Sequence, residues 1–320
     1  MQVIKSVILL IVGFIVLVKA SDIFVTAVSS IATNLKMSKM MIALTVAAFG
    51  TCAPELAISF QSMAAGIGDI ALANVLGSNV VNILLIVGLA ACVAPIRVKH
   101  HVIKKELPIL LVVTSMFCLC IISHKFGISG KEYVLDRQDG FMLLSFFGLF
   151  IFYIISVVKA KQGVLEFEKP KYGIVKSIIY SILCCTVIIF SSDIVVDNAV
   201  VLATLLGIST KVITMTIVVI GTSLPEMTMT VISAKRGEFD FALGNIIGTN
   251  IFNIGVVLGS PLLVFGGFNS LSFTIIDVFA VFLAAFILFL FARNDRKLSS
   301  LEGALMISIF IIYYAYVLVS

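Results

Sequence analysis

Charge is what this chain has least of. Asp, Glu, Lys and Arg make up 12% of its 320 residues, about half the roughly one quarter typical of a soluble domain. With 61% hydrophobic residues and a mean hydropathy of +1.20, water cannot be its only solvent, and lipid must cover what a soluble protein would bury. The six cysteines (Cys52, Cys92, Cys118, Cys120, Cys184 and Cys185) form no CxxC pair and lie in apolar runs. They read as small buried hydrophobes and imply no oxidising compartment. HExxH, GxSxG and paired-aspartate motifs are missing, and His100, His101 and His124 are expected in loops, which argues against an intramembrane enzyme. Residues 5–18 have the outline of a signal peptide. No small-residue cleavage site with a soluble chain follows, however, and the stretch just after it recurs in the second half.

Apolar runs long enough to span a bilayer fall near 3–31, 40–66, 69–93, 103–123, 138–158, 172–203, 211–235, 240–266, 274–292 and 299–319. An all-α membrane protein of ten transmembrane helices is the expectation. Lysines and arginines orient it. With the N-terminus outside, the odd-numbered connections are cytoplasmic and hold Lys36, Lys39, Arg97, Lys99, Lys104, Lys105, Lys159, Lys161, Lys169, Lys171, Lys176, Lys235, Arg236, Arg293, Arg296 and Lys297. That is about 16 of the 22 basic residues, against about 5 on the outer side (Lys5, Lys125, Lys131, Arg137 and Lys211), so the positive-inside rule puts both termini outside the cell membrane. The same distribution excludes nucleic acid as a partner. The basic stretch 97–105 reads as a topology anchor beside anionic lipid headgroups, with lipid regulation and histidine pH sensing as weaker alternatives.

The sequence also repeats itself. Residues 20–55 align without a gap on 191–226, and 68–88 on 239–259, at a constant offset of 171 residues. About 24 of the 67 aligned positions from Asp22 to Gly88 are identical, far above chance for apolar sequence. Each copy, 1–160 and 161–320, holds five expected spans. An odd number makes the second copy enter the membrane with opposite polarity, and such inverted repeats place a substrate site at their interface near the midplane.

The best-matched stretches are polar. Gly50-Thr51-Cys52-Ala53-Pro54-Glu55 in the second span matches Gly221-Thr222-Ser223-Leu224-Pro225-Glu226 in the seventh. Glu55 and Glu226 are the only glutamates expected deep in a span, where an acidic side chain costs a few kcal/mol and needs compensation. Pro54 and Pro225 donate no backbone hydrogen bond and crowd the carbonyl four residues back. The carbonyls of Gly50 and Gly221 are therefore expected to leave the helix ladder, which is tolerated at this depth only beside a cavity or ligand. Carbonyls, threonine hydroxyls and carboxylates are hard oxygen donors suited to a hard cation. The third and eighth spans add Asn74, Gly77, Ser78, Asn79 and Asn82, matched by Asn245, Gly248, Thr249, Asn250 and Asn253. Ser78, Asn82 and their mates read as ion contacts; Asn74, Asn79, Asn245 and Asn250 read better as interhelical hydrogen-bond glue. Two carboxylates carry −2, which one divalent cation or successive monovalent ions can balance. Competition for one such site is antiport.

At these residues the chain resembles the cation/calcium exchanger family, whose paired repeats carry GTSxPE-like and GSNxxN-like motifs, and it looks like a prokaryotic member of the sodium/calcium exchanger branch. The resemblance covers nearly the whole chain. It implies the sodium/calcium exchanger fold, with spans two, three, seven and eight forming the ion-binding core, and exchange of several Na+ for one Ca2+ by alternating access. It implies Glu55 and Glu226 as shared carboxylate ligands, with oxygens from Thr51, Thr222, Ser223, Ser78, Thr249, Asn82 and Asn253 and backbone carbonyls near Ala48 and Val219. No cofactor and no protein partner is implied beyond Ca2+, Na+ and membrane lipid. Two positions depart from the pattern. Cys52 stands where the motif usually has serine, and a thiol is a poor Na+ ligand, so weakened Na+ affinity or altered coupling is expected. Asn253 stands where some members have aspartate, which argues against the potassium-cotransporting branch. The connection near 159–172 is also too short for a regulatory Ca2+-binding domain. The leading alternative is H+/Ca2+ exchange with the same glutamates as proton carriers; a channel would pass Ca2+ with no counter-ion.

Overall fold

A computed structural model describes residues 2–35, 37–66, 68–125, 135–160, 170–207, 219–268 and 275–319. Among these residues the chain is helical apart from one two-stranded ribbon and an isolated bridge. Helix α1 runs Gln2–Asn34, α2 Lys39–Thr51, α3 Ala53–Ala64 and α4 Gly68–Val93. Strand β1 (Ile96–Arg97) precedes α5, which opens on a wide π turn at Val102–Glu106 and continues through Leu107–Lys125. Helices α6 (Arg137–Ala160), α7 (Ile174–Leu205), α8 (Val219–Thr222), α9 (Leu224–Lys235), α10 (Phe239–Phe265) and α11 (Ile275–Arg293) lead to β2 (Lys297–Leu298) and α12 (Ser300–Val319).

Eight of these helices are each long and apolar enough to cross a membrane, and the bent pair α2–α3 makes a ninth. The expected seventh span begins outside the described residues, so only its end, α8 and α9, is on view. The repeat survives in three dimensions at the element boundaries. Shifted by 171 residues, α3 coincides with α9 and Gly68 of α4 with Phe239 of α10. Both central helices carry a π segment at the matched place, Val81–Val87 and Asn253–Leu258.

Helices α4 and α10 form the core of the bundle, with most of their apolar stretch buried, whereas the other six long helices bury less than half of theirs. Ile8, Ile11, Ile15, Val175, Ile182 and Phe190 of the packed pair α1 and α7 are exposed apolar side chains. On span-length helices such faces point to lipid as their solvent. Glycine lets the core helices approach their neighbours. A Cβ on Gly248 would lie 2.6 Å from the Leu44 carbonyl oxygen. Glycines also bring the two central helices against later and earlier ones: Gly88 of α4 abuts Gly303 of α12, and Gly259 of α10 abuts Gly140 of α6.

Contacts sort the connections into two ends. At one end Asn34 donates to the Tyr172 carbonyl at 2.9 Å, Lys39 meets Glu238 at 3.4 Å and Lys99 meets Asp240 at 2.5 Å. There too β1 pairs antiparallel with β2, Ile96 opposite Leu298. At the other end Leu135 bridges to Phe268, and Gly68 lies under the Phe268 ring. The histidines depart from expectation: His100 and His101 form the helical turn leading into α5, and His124 lies in its last turn. Pro95 and the short strand end the preceding connection, leaving the basic residues to start the helix.

Candidate ion-binding site

Two helix breaks meet in the middle of the bundle. At the first, Cys52 adopts φ −77°, ψ 5° between α2 and α3, whose axes bend by 48°. At the second, Ser223 adopts φ −89°, ψ 8° between α8 and α9. In each case proline at the second position of the following helix prevents the ladder from continuing. Glu55 and Glu226 then fall in the first turns of α3 and α9. The positive end of each helix dipole favours a carboxylate there, while the carbonyl-bearing end of α2 faces the same centre.

Both glutamates are fully enclosed, at 1% and 0% exposure. Oε2 of Glu55 and both carboxylate oxygens of Glu226 have no hydrogen-bond partner. Further buried oxygens without partners are Oγ of Ser78 and Ser223, Oγ1 of Thr249, Oδ1 of Asn82 and Oδ1 of Asn253. A buried polar atom left unpaired costs about 1–3 kcal/mol, so these atoms are the candidate ligand contacts. Among the described residues no three His, Cys, Asp or Glu side chains converge as a charged cage. The buried polar atoms are instead those of two carboxylates and of neutral hydroxyl and amide side chains.

The remaining expected residues are distributed as follows. Thr51 is buried, and its hydroxyl donates to the Ala47 and Ala48 carbonyls at 3.2 and 3.3 Å. The Ala48 carbonyl also accepts the Cys52 N–H at 3.1 Å, so it is engaged within the helix in this conformation. Cys52 is buried beside Thr249 and within electrostatic reach of both glutamates. Thr222 and Val219 lie in α8, one turn of helix ahead of the second break. The Gly50 carbonyl has left the ladder as expected, but it is not empty: the Cys185 thiol of α7 donates to it at 3.2 Å. Sequence reasoning had no signal for Cys185, because its counterpart in the first copy is Phe14.

The glue asparagines act largely as expected. Asn74 Nδ2 reaches the Glu55 carbonyl at 3.1 Å and Ser59 Oγ at 3.4 Å, and Asn245 Nδ2 reaches Thr230 Oγ1 at 3.2 Å. Ser59 and Thr230 are themselves 171 residues apart, a match that the repeat could have revealed. Between α4 and α10 the two copies differ. Asn253 Nδ2 donates to Asn79 Oδ1 at 3.1 Å, whereas Asn250 turns to the Ile246 carbonyl of its own helix at 2.8 Å and leaves Asn82 without a partner.

A family model described as sodium/calcium exchanger protein matches residues 5–156 and 176–319. The chain belongs to the sodium/calcium exchanger family. Among its relatives, the inner membrane protein YrbG of Escherichia coli is 32% identical over 268 residues, covering 81% of this chain and 80% of that one. The sodium/calcium exchanger MaX1 of Methanosarcina acetivorans is 29% identical over 340 residues, with 95% and 96% covered. The structure of the sodium-calcium exchanger NCX_Mj soaked with zero Na+ and Ca2+ superposes with a TM-score of 0.81 at 30% identity, covering 98% of this chain and 99% of that one. This chain is thus an integral membrane antiporter of that family with the all-helical NCX_Mj fold.

Proposed function

We propose that the chain exchanges Na+ for Ca2+ across the cell membrane by alternating access at one shared site, with Glu55 and Glu226 as its charged ligands. The observation that carries this reading is the set of unpartnered, fully buried oxygens at the meeting of the two helix breaks. Two carboxylates with Ser78, Ser223, Thr249, Asn82, Asn253 and Thr51 offer the six to eight oxygens that Ca2+ takes at 2.3–2.6 Å. Carbonyls at Ala48 and Val219 and the Thr222 hydroxyl extend the set for Na+. The ions are cargo, and no cofactor enters.

The architecture proposed with it is ten spans in two inverted five-helix copies, 1–160 and 161–320. In this scheme α2–α3 and α8–α9 are single broken spans. The sorting of connections supports it, since those after α1, α4, α6, α9 and α11 gather at one end. Most of the basic residues lie there, which favours that end as cytoplasmic and both termini as external. Cys52 is the one feature that favours H+/Ca2+ exchange instead, since it withdraws a hydroxyl from the Na+ donors. Ca2+ flux into proteoliposomes, driven by a Na+ gradient at clamped pH, decides between them. Uptake that ignores Na+ and follows an imposed pH gradient overturns Na+ coupling; flux without any counter-ion overturns exchange.

A further inference from the structure

Away from the ion site, a groove of about 480 Å³ opens between the basic end of α5 and the facing end of α6. Its mouth is cationic and its floor is apolar. Lys104 and Lys105, both exposed, stand at the mouth, and Ile109, Val112, Leu149 and Phe150 line the run inward. From Lys104 to Val112 is eight residues, so the apolar run reaches about 12 Å into the bundle's side at 1.5 Å per residue. Val112 and Leu149 are more than half exposed, so the groove is open sideways, towards lipid.

The lysine charges are not neutralised by the neighbouring carboxylate. Glu106 is turned inward at 1% exposure, where Oε1 accepts the Tyr153 hydroxyl at 2.8 Å and Oε2 lies 3.4 Å from His101 Nδ1. That engagement fixes the groove's inner wall. It also orients the Tyr153 ring, over which Lys105 Nζ sits at 6.0 Å from the centroid. Lys105 Nζ is thereby held beside the apolar slot, with Lys104 next to it at the mouth.

We propose that this groove is a binding site for one anionic glycerophospholipid, with its phosphate on Lys104 and Lys105 and one acyl chain along Ile109, Val112 and Leu149. The chemistry of the two ends selects the ligand. A zwitterionic lipid gains nothing net from two ammonium groups, whereas each lysine near an anionic headgroup is worth about a fivefold change in affinity. A soluble phosphate compound offers no apolar chain for the slot.

The test is native mass spectrometry of the full chain in mild detergent, titrated with phosphatidylglycerol or with phosphatidylcholine of identical chains. The expected result is one retained phosphatidylglycerol, with phosphatidylcholine at least tenfold weaker. Lys104→Gln with Lys105→Gln is expected to weaken phosphatidylglycerol about 25-fold and leave phosphatidylcholine unchanged. Val112→Trp, which fills the slot from its open side, is expected to weaken both. Equal binding of the two lipids by the unaltered protein overturns the proposal, and that comparison does not depend on any variant folding. Undiminished binding by the lysine variant overturns it as well. So does competition by glycerol phosphate as effective as that by the whole lipid.

Discussion

Replacing Glu226 with glutamine keeps the shape of the side chain and removes one charge from the centre of the bundle. Both carboxylate oxygens are fully buried and unpartnered, so the change has two consequences of opposite sign. A unit charge about 4 Å from a monovalent cation contributes about 4 kcal/mol at an effective dielectric of about 20, and about twice that for a divalent one. Ca2+ affinity is therefore expected to fall by at least about 10³, and Na+-driven Ca2+ uptake by Glu226→Gln should be lost. In the ion-free protein the same substitution relieves the cost of an unpaired buried charge, a gain of about 1–3 kcal/mol. Thermal unfolding in detergent reads both effects. The unaltered protein should gain about 2.7 kcal/mol in Ca2+ at 100 times its Kd, seen as a rise of a few degrees in Tm. The variant should start higher without ions and not respond to Ca2+. A variant that starts lower and still rises with Ca2+ would mean that Glu226 supports packing and does not hold the ion.

Three further outcomes follow from the same geometry. Cys52→Ser restores a hard oxygen beside Thr249, and the half-saturating Na+ concentration for transport should fall by about five- to tenfold, equivalent to about 1–1.5 kcal/mol for one neutral donor; unchanged Na+ dependence removes the thiol from the site. Pro54→Ala supplies an N–H to the Gly50 carbonyl in competition with Cys185, and should raise Tm while slowing exchange, since the break at Cys52 is partly healed; faster exchange would contradict a role for the break. Gly248→Ala forces a Cβ to within 2.6 Å of the Leu44 carbonyl oxygen and should cost about 1–3 kcal/mol. Gly148→Ala, with nothing within 4 Å of the added atom, is the matched control and should not lower Tm.

The 171-residue repeat made the polar centre legible because the polar residues of 50–55 and 74–82 recur at the matched positions 221–226 and 245–253. Pro54 and Pro225 announced both breaks, and Glu55 and Glu226 the buried charges, since each effect is local to a few residues of backbone. What escaped the sequence was tertiary. The Cys185 thiol on the Gly50 carbonyl joins residues 135 positions apart and has no matched partner. The inward turn of Glu106 onto Tyr153 depends on how α5 meets α6. The unequal pairing of Asn79–Asn253 and Asn82–Asn250 cannot be read from a repeat, which predicts symmetry. The π segments at Val81–Val87 and Asn253–Leu258 were equally hidden, because widening a helix by one residue per turn leaves no mark in composition.

The crossed glycine contacts carry a consequence for biosynthesis. Gly88 of α4 packs on Gly303 of α12, while Gly259 of α10 packs on Gly140 of α6. Helix α10 therefore finds α6 already made as it emerges from the ribosome, whereas α4 must wait for a helix translated more than two hundred residues later. Until α12 arrives, Gly88 of α4 lacks the helix it packs against. A chain truncated before α12 is therefore expected to leave that face of α4 uncovered.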